Sequence, residues 1–555
     1  LKLSGKRIVL AASVTESNEY KQSVWRQMLY AVLPARIAGY IFDLETVQNE
    51  LRADGQAKYV PNGLRVVESI LLGEFKPEDI AVCYPDQFDR FIGSDTRIVG
   101  LHAHNPLGIS FATEIYSRFY GGSAPLNAWE FQRMITHPVL QQHKDHLKLI
   151  VGGPGSWQIE TSGLQKEWGI DCIVKGEAEL DILPLFRNAF QGKDLPQTLT
   201  GVNPTLDHTP IVKGRSTLGV VEITRGCGRG CNFCGPASRK CRSFPLEHIL
   251  ESVRANVREG ASAITLATED LFLYEHGPRF KVNEDAIERL LTSVAAVDGV
   301  EYISLTHGSL APIMENPSII ERLSPIAVGR NHRRHAASTH PEHRFSSFFA
   351  GIETGSPRLI RQHMRGKTYP FKPEQWPDIV VRSMEILNRH NWFPTCTWII
   401  GLPGETDEDT RQSLDLLLAL KDSKWIVFPT LFLALDDSRL AGQQNADLPK
   451  LTALQWELFF TAWRLTLDFN ASRRDQLKYV MGIPFYYYFY ARKRFGSAIK
   501  YPFWRLAHFP ESLLRRKLYL DLRSEKQRSP GLAGPGDPIE FGYNDEMSEE
   551  LKPAP

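Results

Sequence analysis

Three closely spaced thiols constrain this chain more than any other feature. In "EITRGCGRGCNFCGPAS" (222–238), Cys227, Cys231 and Cys234 form a C-x3-C-x2-C pattern directly after a short apolar strand, "GVVEIT" (219–224). Gly226, Gly228 and Gly230 stand among them and let the loop wrap tightly around a bulky group. Thiolates on short loops are how proteins hold iron–sulfur clusters. Three ligands leave one iron of a four-iron cluster open to a further ligand. Spacing alone leaves two other readings open. One is a chance cluster of buried thiols. The other is structural zinc with Cys241 as fourth ligand, although zinc sites usually pair two knuckles and none follows Cys234.

Seven cysteines in 555 residues are too few for a disulfide scaffold, and their clustering favours a reducing compartment. The formal net charge of +1 offers no global reason to bind nucleic acid. The segment "LKLSGKRIVLAASVTESNEY" does not have the form of a signal peptide. No uninterrupted apolar run approaches the roughly 18–20 residues of a membrane span. The expectation is a cytoplasmic protein.

Residues 1–200 read as a first domain. Strands are expected in "GKRIVLAAS", "TRIVGLHAHNPLG" (96–108), "LKLIVGGPGSW" (147–157) and "GIDCIVKGEAE" (169–179), with helices between them, one over Glu19–Ala38. That alternation implies a doubly wound, Rossmann-like parallel sheet, whose ligands bind at the carboxyl ends of the strands. Residues 215–445 read as a second α/β domain. Its six strands are "GVVEIT", "AITLAT" (263–268), "EYISLT" (301–306), "FFAGIE" (348–353), "TCTWIIG" (395–401) and "IVFPTLFL" (426–433). They suit a partial (β/α)6 TIM-like barrel, in which chemistry sits at the C-terminal strand ends. The thiols follow its first strand.

Residues 446–523 read as a helical, basic-aromatic region, and 524–555 as a disordered tail rich in Pro, Gly and acidic residues. From Arg473 to Arg523 there are twelve Lys/Arg against three Asp/Glu. Such a region either caps the barrel or touches a membrane surface peripherally. The His332, His335, His340 and His343 segment (330–345) reads as a solvated loop, with a metal site as the sharper alternative. His307 either touches substrate or satisfies a turn. Cys83, Cys172 and Cys396 read as core.

The cysteine pattern, the strand before it and the barrel around it resemble the radical S-adenosylmethionine (SAM) superfamily. The resemblance implies a [4Fe-4S] cluster on Cys227, Cys231 and Cys234, with SAM on the open iron. Reduction would cleave SAM to a radical that abstracts hydrogen from an unactivated carbon. Phe233 matches the aromatic near adenine. Glu269 and Asp270 in "ATEDLF" take the place of the motif that binds the SAM amino group. In "GIETGSPRLI", Glu353, Thr354 and Ser356 resemble the ribose-contacting residues, and Arg361 or Arg365 would face the SAM carboxylate. Ile399 to Gly401 in "WIIGLPGET" resembles the segment that reads adenine.

Asn105-Pro106, "VGGPG" with Gly152, Gly153 and Pro154, and "VKGEAE" with Gly176 and Glu177 recur in order at successive strand ends. They resemble the cobalamin-binding domain joined to one radical SAM subclass. The D-x-H-x-x-G motif, whose histidine ligates cobalt in methionine-synthase-type domains, is absent; His102 and His104 lack that spacing. A domain that kept the fold and lost cobalamin is the alternative. The resemblance implies methylation of an unactivated carbon in a small, hydrophobic substrate, served by a low-potential donor such as flavodoxin or ferredoxin and with no nucleic acid as partner. A radical cyclase, oxidase or rearrangement enzyme without methyl transfer is the alternative. A non-catalytic sensor is the third.

Overall fold

Apolar runs with no polar face to give to water are stable only as inner strands, covered on both sides. The computed structural model describes residues 4–19, 31–33, 35, 50–110, 113, 116, 124–202, 205–329, 345–436, 438–447 and 450–471. In it five such runs and one more polar edge strand build a parallel sheet of β1 (Ile8–Ala12), β2 (Ile80–Cys83), β3 (Ile98–His102), β4 (Lys148–Gly152), β5 (Cys172–Gly176) and the edge strand β6 (Thr198–Gly201). The order is β2-β1-β3-β4-β5-β6. Ile8, Leu10 and Ala12 face one core with Leu64 and Phe186, while Val9 and Ala11 face the other with Phe131 and Ile159. Helices 62–71 and 182–190 supply the first face, and 126–135 and 156–162 the second.

Two of these strands were not legible. β2 is four residues long, and β6 is a half-exposed edge strand of sequence TLTG. Most of the helix expected over Glu19–Ala38 lies outside the described residues.

All six strands expected of the second domain form: β7 (Val220–Glu222), β8 (Ala263–Ala267), β9 (Tyr302–Leu305), β10 (Phe349–Glu353), β11 (Thr395–Ile400) and β12 (Ile426–Leu431). They pair in parallel as β7-β8-β9 and β10-β11-β12. A short seam joins the halves. Phe349 N–H donates to the Thr306 carbonyl at 2.7 Å, and Gly308 N–H to the Phe349 carbonyl at 3.0 Å. The result is an arc of six strands in chain order, backed by helices 246–258, 284–296, 318–327, 376–389 and 407–419.

A helix over Ala453–Ala471 begins the expected helical region and packs on β12, where Thr466 Oγ1 accepts the Val427 N–H at 2.7 Å. The rest of that region, the tail and the four-histidine segment lie outside the described residues. Among the described residues, no helix is long and apolar enough to cross a membrane.

Candidate active site

Thr224–Arg225 pairs antiparallel with Arg242–Ser243 and closes the base of a loop that carries the three thiols. Gly226, Gly228 and Gly230 all adopt left-handed backbone, with φ of +75°, +73° and +74°. At Gly226 packing also forbids a side chain, since a Cβ would lie 2.6 Å from the Lys240 carbonyl oxygen. Backbone bonds from Cys227 N–H to Pro236 (3.2 Å) and from Gly230 N–H to Ala237 (3.0 Å) fold the loop back on itself. None of the three is in a disulfide, and burial pushes Cys227 up to about 12 and Cys231 upward. Among the described residues, no three His, Cys, Asp or Glu side chains converge on a single ion. Three thiols on one short loop are the donor set of an iron–sulfur cluster, whereas structural zinc takes four ligands. Cys241 does not join them: its Sγ turns toward the Leu273 carbonyl at 3.7 Å.

The loop is anchored by a buried ion pair. Arg229 lies between the first two thiols and is 5% exposed. Its Nε donates to Asp270 Oδ2 at 3.0 Å, its Nη1 to the Gly366 carbonyl at 3.1 Å, and its guanidinium stacks 5.1 Å from the Phe280 ring centre. Asp270 also accepts from Ser309 Oγ (2.6 Å), Ser309 N–H (3.1 Å) and Phe272 N–H (3.2 Å). Both its oxygens are therefore engaged inside the protein. The neighbouring Glu269 behaves differently. One of its carboxyl oxygens is buried with no hydrogen-bond partner among the described residues, and burial pushes its pKa up.

At the end of β10 the chain takes an unusual step. Glu353 has φ of +68°, and the register with β11 shifts between Gly351 and Glu353. The bulge aims the carboxylate inward, where it accepts from Thr397 Oγ1 at 3.2 Å and pairs with Lys367 Nζ at 3.4 Å. A Cβ on Gly351 would collide with the Glu353 carboxylate and stand 2.8 Å from Lys367 Nζ. Burial pushes the Glu353 carboxyl up. For Lys367 burial acts downward, but Glu353 and then Cys231 outweigh it, so its ammonium is held on. Lys367 thus brings a buried positive charge toward the thiol loop. No sequence signal marked it.

The other expected residues divide. Phe233 is buried beside the thiols in the barrel core. Ile399 is 5% exposed, at the end of β11. Gly401 has φ of +82° and gives its N–H to Glu405 Oε2 at 2.7 Å. Ser356 is fully buried; its Oγ donates to Asp409 at 2.5 Å and caps the helix over Pro357–His363. Thr354 Oγ1 lies 3.1 Å from Ser413 Oγ. Arg361 is exposed and pairs with Glu374, and the exposed Arg365 donates to the Arg361 carbonyl at 2.9 Å. Arg361 sits on the exposed side of that helix, and Arg365 lies just beyond its end at His363. His307 satisfies a turn: its Nδ1 lies 3.1 Å from the Thr268 carbonyl.

Residues 221–417, from the first barrel strand to the helix after the fifth, match the family model of the radical SAM superfamily. That segment is a radical SAM domain. The chain is also 25% identical over 285 residues to the tRNA-2-methylthio-N(6)-dimethylallyladenosine synthase of Paracoccus denitrificans, covering 51% of this chain and 58% of that protein. It is 25% identical over 323 residues to the enzyme of the same name from Psychromonas ingrahamii, covering 57% and 61%. The chain thus spans about three-fifths of the length of these relatives. Among solved structures, the radical SAM methyltransferase TsrM from Kitasatospora setae, with cobalamin and a [4Fe-4S] cluster bound, aligns at TM-score 0.49 and 13% identity, covering 78% of this chain and 74% of that one.

The strand-end residues of the first domain are largely engaged within the protein. Asn105 is buried, giving its amide to Thr113 Oγ1 (3.1 Å) and accepting from Gln158 (3.1 Å). Pro106 is buried beside it, Gly152 is half-buried and Pro154 exposed. Gly153 and Gly176 adopt positive φ, and a Cβ there would meet the carbonyl oxygens of Ala103 (2.7 Å) and Gly201 (2.6 Å). Glu177 is turned to the radical SAM domain. It pairs with Arg242 at 2.5 Å and with Arg225 at 3.3 Å, while Arg225 also holds Glu179 and Glu222. The Gly-rich turn of one domain is thereby tied to the base of the thiol loop of the other. Arg225→Met leaves Glu179 and Glu222 without their cation, while Glu177 keeps Arg242. We expect it to lower unfolding stability by roughly 2 kcal/mol and to speed proteolytic cleavage in the 202–214 linker, measured by urea denaturation and limited trypsin digestion.

Proposed function

We propose that this chain is a radical SAM enzyme that uses a [4Fe-4S] cluster and cobalamin to methylate an unactivated carbon of a small, hydrophobic substrate. The observation that carries the reading is the meeting of two structures at one place: a three-thiol loop at the mouth of a parallel barrel, and a doubly wound sheet whose carboxyl edge is ionically tied to that loop. When bound, the cluster and SAM supply reductive cleavage of SAM, and cobalamin carries the methyl group.

The chain's own residues then have separable tasks. Cys227, Cys231 and Cys234 hold the cluster. Arg229 and Asp270 keep the loop in shape from beneath. Glu269 offers an unpartnered buried oxygen to the SAM amino group. Glu353 and Lys367 offer an acceptor for hydroxyls and a cation for a carboxylate, the latter in place of Arg361. Phe233, Ile399 and Gly401 line the adenine side. Cobalamin would lie over the carboxyl ends of β1, β3, β4 and β5, near the exposed Pro154 and His104. Electrons would come from flavodoxin, ferredoxin or a similar low-potential donor.

The test is an anaerobic product assay. Protein reconstituted with iron, sulfide and cobalamin receives SAM and a low-potential reductant. 5′-Deoxyadenosine together with S-adenosylhomocysteine supports methyl transfer. Deoxyadenosine alone, with candidate substrates present, supports the radical enzyme without methyl transfer. Neither product from a fully loaded cluster leaves only the sensor. A second reading takes its warrant from the named relatives, which act on tRNA. Adding tRNA and searching its nucleosides for added methyl or methylthio groups by mass spectrometry separates it from the small-molecule reading.

A further inference from the structure

We infer that His363 is a positioning residue for SAM. Its backbone carbonyl holds the thiol loop, its ring holds the turn after β11, and together they set the spacing between the two. The inference rests on the radical SAM reading above and adds a residue that neither the thiol pattern nor the strand ends mark.

A helix leaves its last carbonyls without partners of its own. In the helix over Pro357–His363 the Arg361 carbonyl is taken by Arg365 Nε at 2.9 Å. The two beyond it are taken by one residue of the thiol loop. Asn232 Nδ2 donates to the Gln362 carbonyl at 3.3 Å, and Asn232 N–H to the His363 carbonyl at 2.9 Å. Asn232 stands between Cys231 and Cys234, directly before Phe233. The end of this helix therefore sets where the second half of the thiol loop lies.

The same helix holds the turn "GLPGE" (401–405) that follows β11. Glu405 Oε2 accepts the N–H groups of Gly401 (2.7 Å) and Leu402 (3.0 Å) and closes the turn on itself. The carbonyls of Pro403 and Gly404 go to the helix. His363 Nε2 lies 2.8 Å from the first, and Arg358 Nη2 donates to the second at 2.6 Å. These two bonds are not equivalent. Arg358 is exposed, so water can stand in for it. His363 is 4% exposed. A carbonyl only accepts, so Nε2 carries the hydrogen of the ring. The other ring nitrogen, Nδ1, is buried with no hydrogen-bond partner among the described residues. The bond to Pro403 is thus the ring's polar attachment, made where water does not compete.

Because both bonds belong to one residue, the thiol loop and the turn cannot drift apart without breaking one of them. In the reading above, Phe233 on one segment and Gly401 on the other line the adenine side. The two bonds also differ in what a substitution removes. Any residue at 363 supplies the carbonyl that holds the thiol loop, but only a side chain with a donor of the right length holds the turn. Removing the ring should therefore damage SAM binding and spare the cluster.

The test separates SAM binding from cluster loading. Wild type, His363→Leu, His363→Asn and His363→Gln are reconstituted anaerobically with iron and sulfide. Iron content, melting temperature and SAM affinity by equilibrium dialysis are measured on each. Leu has no donor and Asn is too short to reach Pro403, whereas Gln brings an N–H close to the place of Nε2. We expect about four irons per chain in all four proteins. SAM should bind at least about tenfold more weakly to the Leu and Asn variants, with the Gln variant within about threefold of wild type. If the Leu variant does not fold, the Asn variant gives the same comparison. Wild-type affinity in the Asn variant would overturn the inference and leave His363 as core filling. A Gln variant as weak as the Asn variant would overturn it too, by moving the effect from the Pro403 bond to the ring itself. So would loss of iron from both, which would place the residue's role in the thiol loop alone. Each of these leaves the radical SAM reading intact. Wild-type protein that loads its cluster and binds no SAM would overturn that reading and the inference with it.

Discussion

Replacing Cys231 with Ala abolishes retention of the iron–sulfur cluster, and reductive cleavage of SAM falls to background. Reconstituted wild type is expected to carry about four irons per chain, against almost none in the variant, measured by iron and sulfide content and by visible absorbance. The effect is large because no nearby thiol can take over. Cys241 is the only other cysteine beside the loop, and its Sγ is turned to the Leu273 carbonyl. Cys241→Ala therefore keeps its cluster, and this contrast separates a three-thiol cluster from a four-thiol metal site. pH has a definite sign here too. Burial raises Cys227 to about 12 and Cys231 above its usual value in the cluster-free protein. Each must lose a proton to become a ligand. Cluster assembly consequently releases protons and becomes more favourable as pH rises from 7 toward 9. Assembly that is insensitive to pH would mean that the thiols already face cations strong enough to deprotonate them.

What could be read from the chain, and what could not, follows from distance along it. The thiols lie within eight positions and the six barrel strands are compact apolar runs, so both were legible. The anchors of the site were not, because each is made by partners far apart in sequence. Arg229 meets Gly366, and Glu177 meets Arg242, across long stretches with no periodic pattern to connect them. Among the cations of "PRLIRQHMRGK", composition cannot say which one turns inward. Helix phase decides it: Leu359 and Ile360 take the buried side, Arg361 is left outside, and only after the helix ends at His363 does the chain swing Lys367 back toward the thiols. Glu269 and Asp270 are adjacent and were read together. One is spent on Arg229 and Ser309, and the other keeps an open oxygen. The glycines of the first domain were recognised as close-approach positions, but where ligand was expected, what approaches is the chain's own backbone.

Lys367→Met will expose the conflict built into β10. Glu353 sits in left-handed backbone with its side chain 8% exposed, and Lys367, 13% exposed, is the cation paired with it. Removing one partner of a buried pair costs about 3–5 kcal/mol, because the remaining charge has no water to turn to. The carboxyl can escape only by taking up a proton, which burial already favours. Stability of the variant should then depend on pH in a set direction. A carboxyl whose folded pKa lies above its unfolded value contributes stability below the unfolded value and loses it as pH rises through the folded one. The melting temperature of Lys367→Met will therefore fall between pH 5 and pH 8 more steeply than that of wild type. Adding Glu353→Gln removes the stranded charge, so the double variant should recover most of the loss and lose the extra pH dependence. SAM binding separates the functional part from the structural one. If Lys367 supplies the cation for the SAM carboxylate, the double variant folds like wild type but binds SAM at least tenfold more weakly, by equilibrium dialysis against cluster-loaded protein. Wild-type affinity in that refolded double variant would leave Lys367 as a counter-ion for Glu353 alone and return the search for the carboxylate partner to the other cations near the loop.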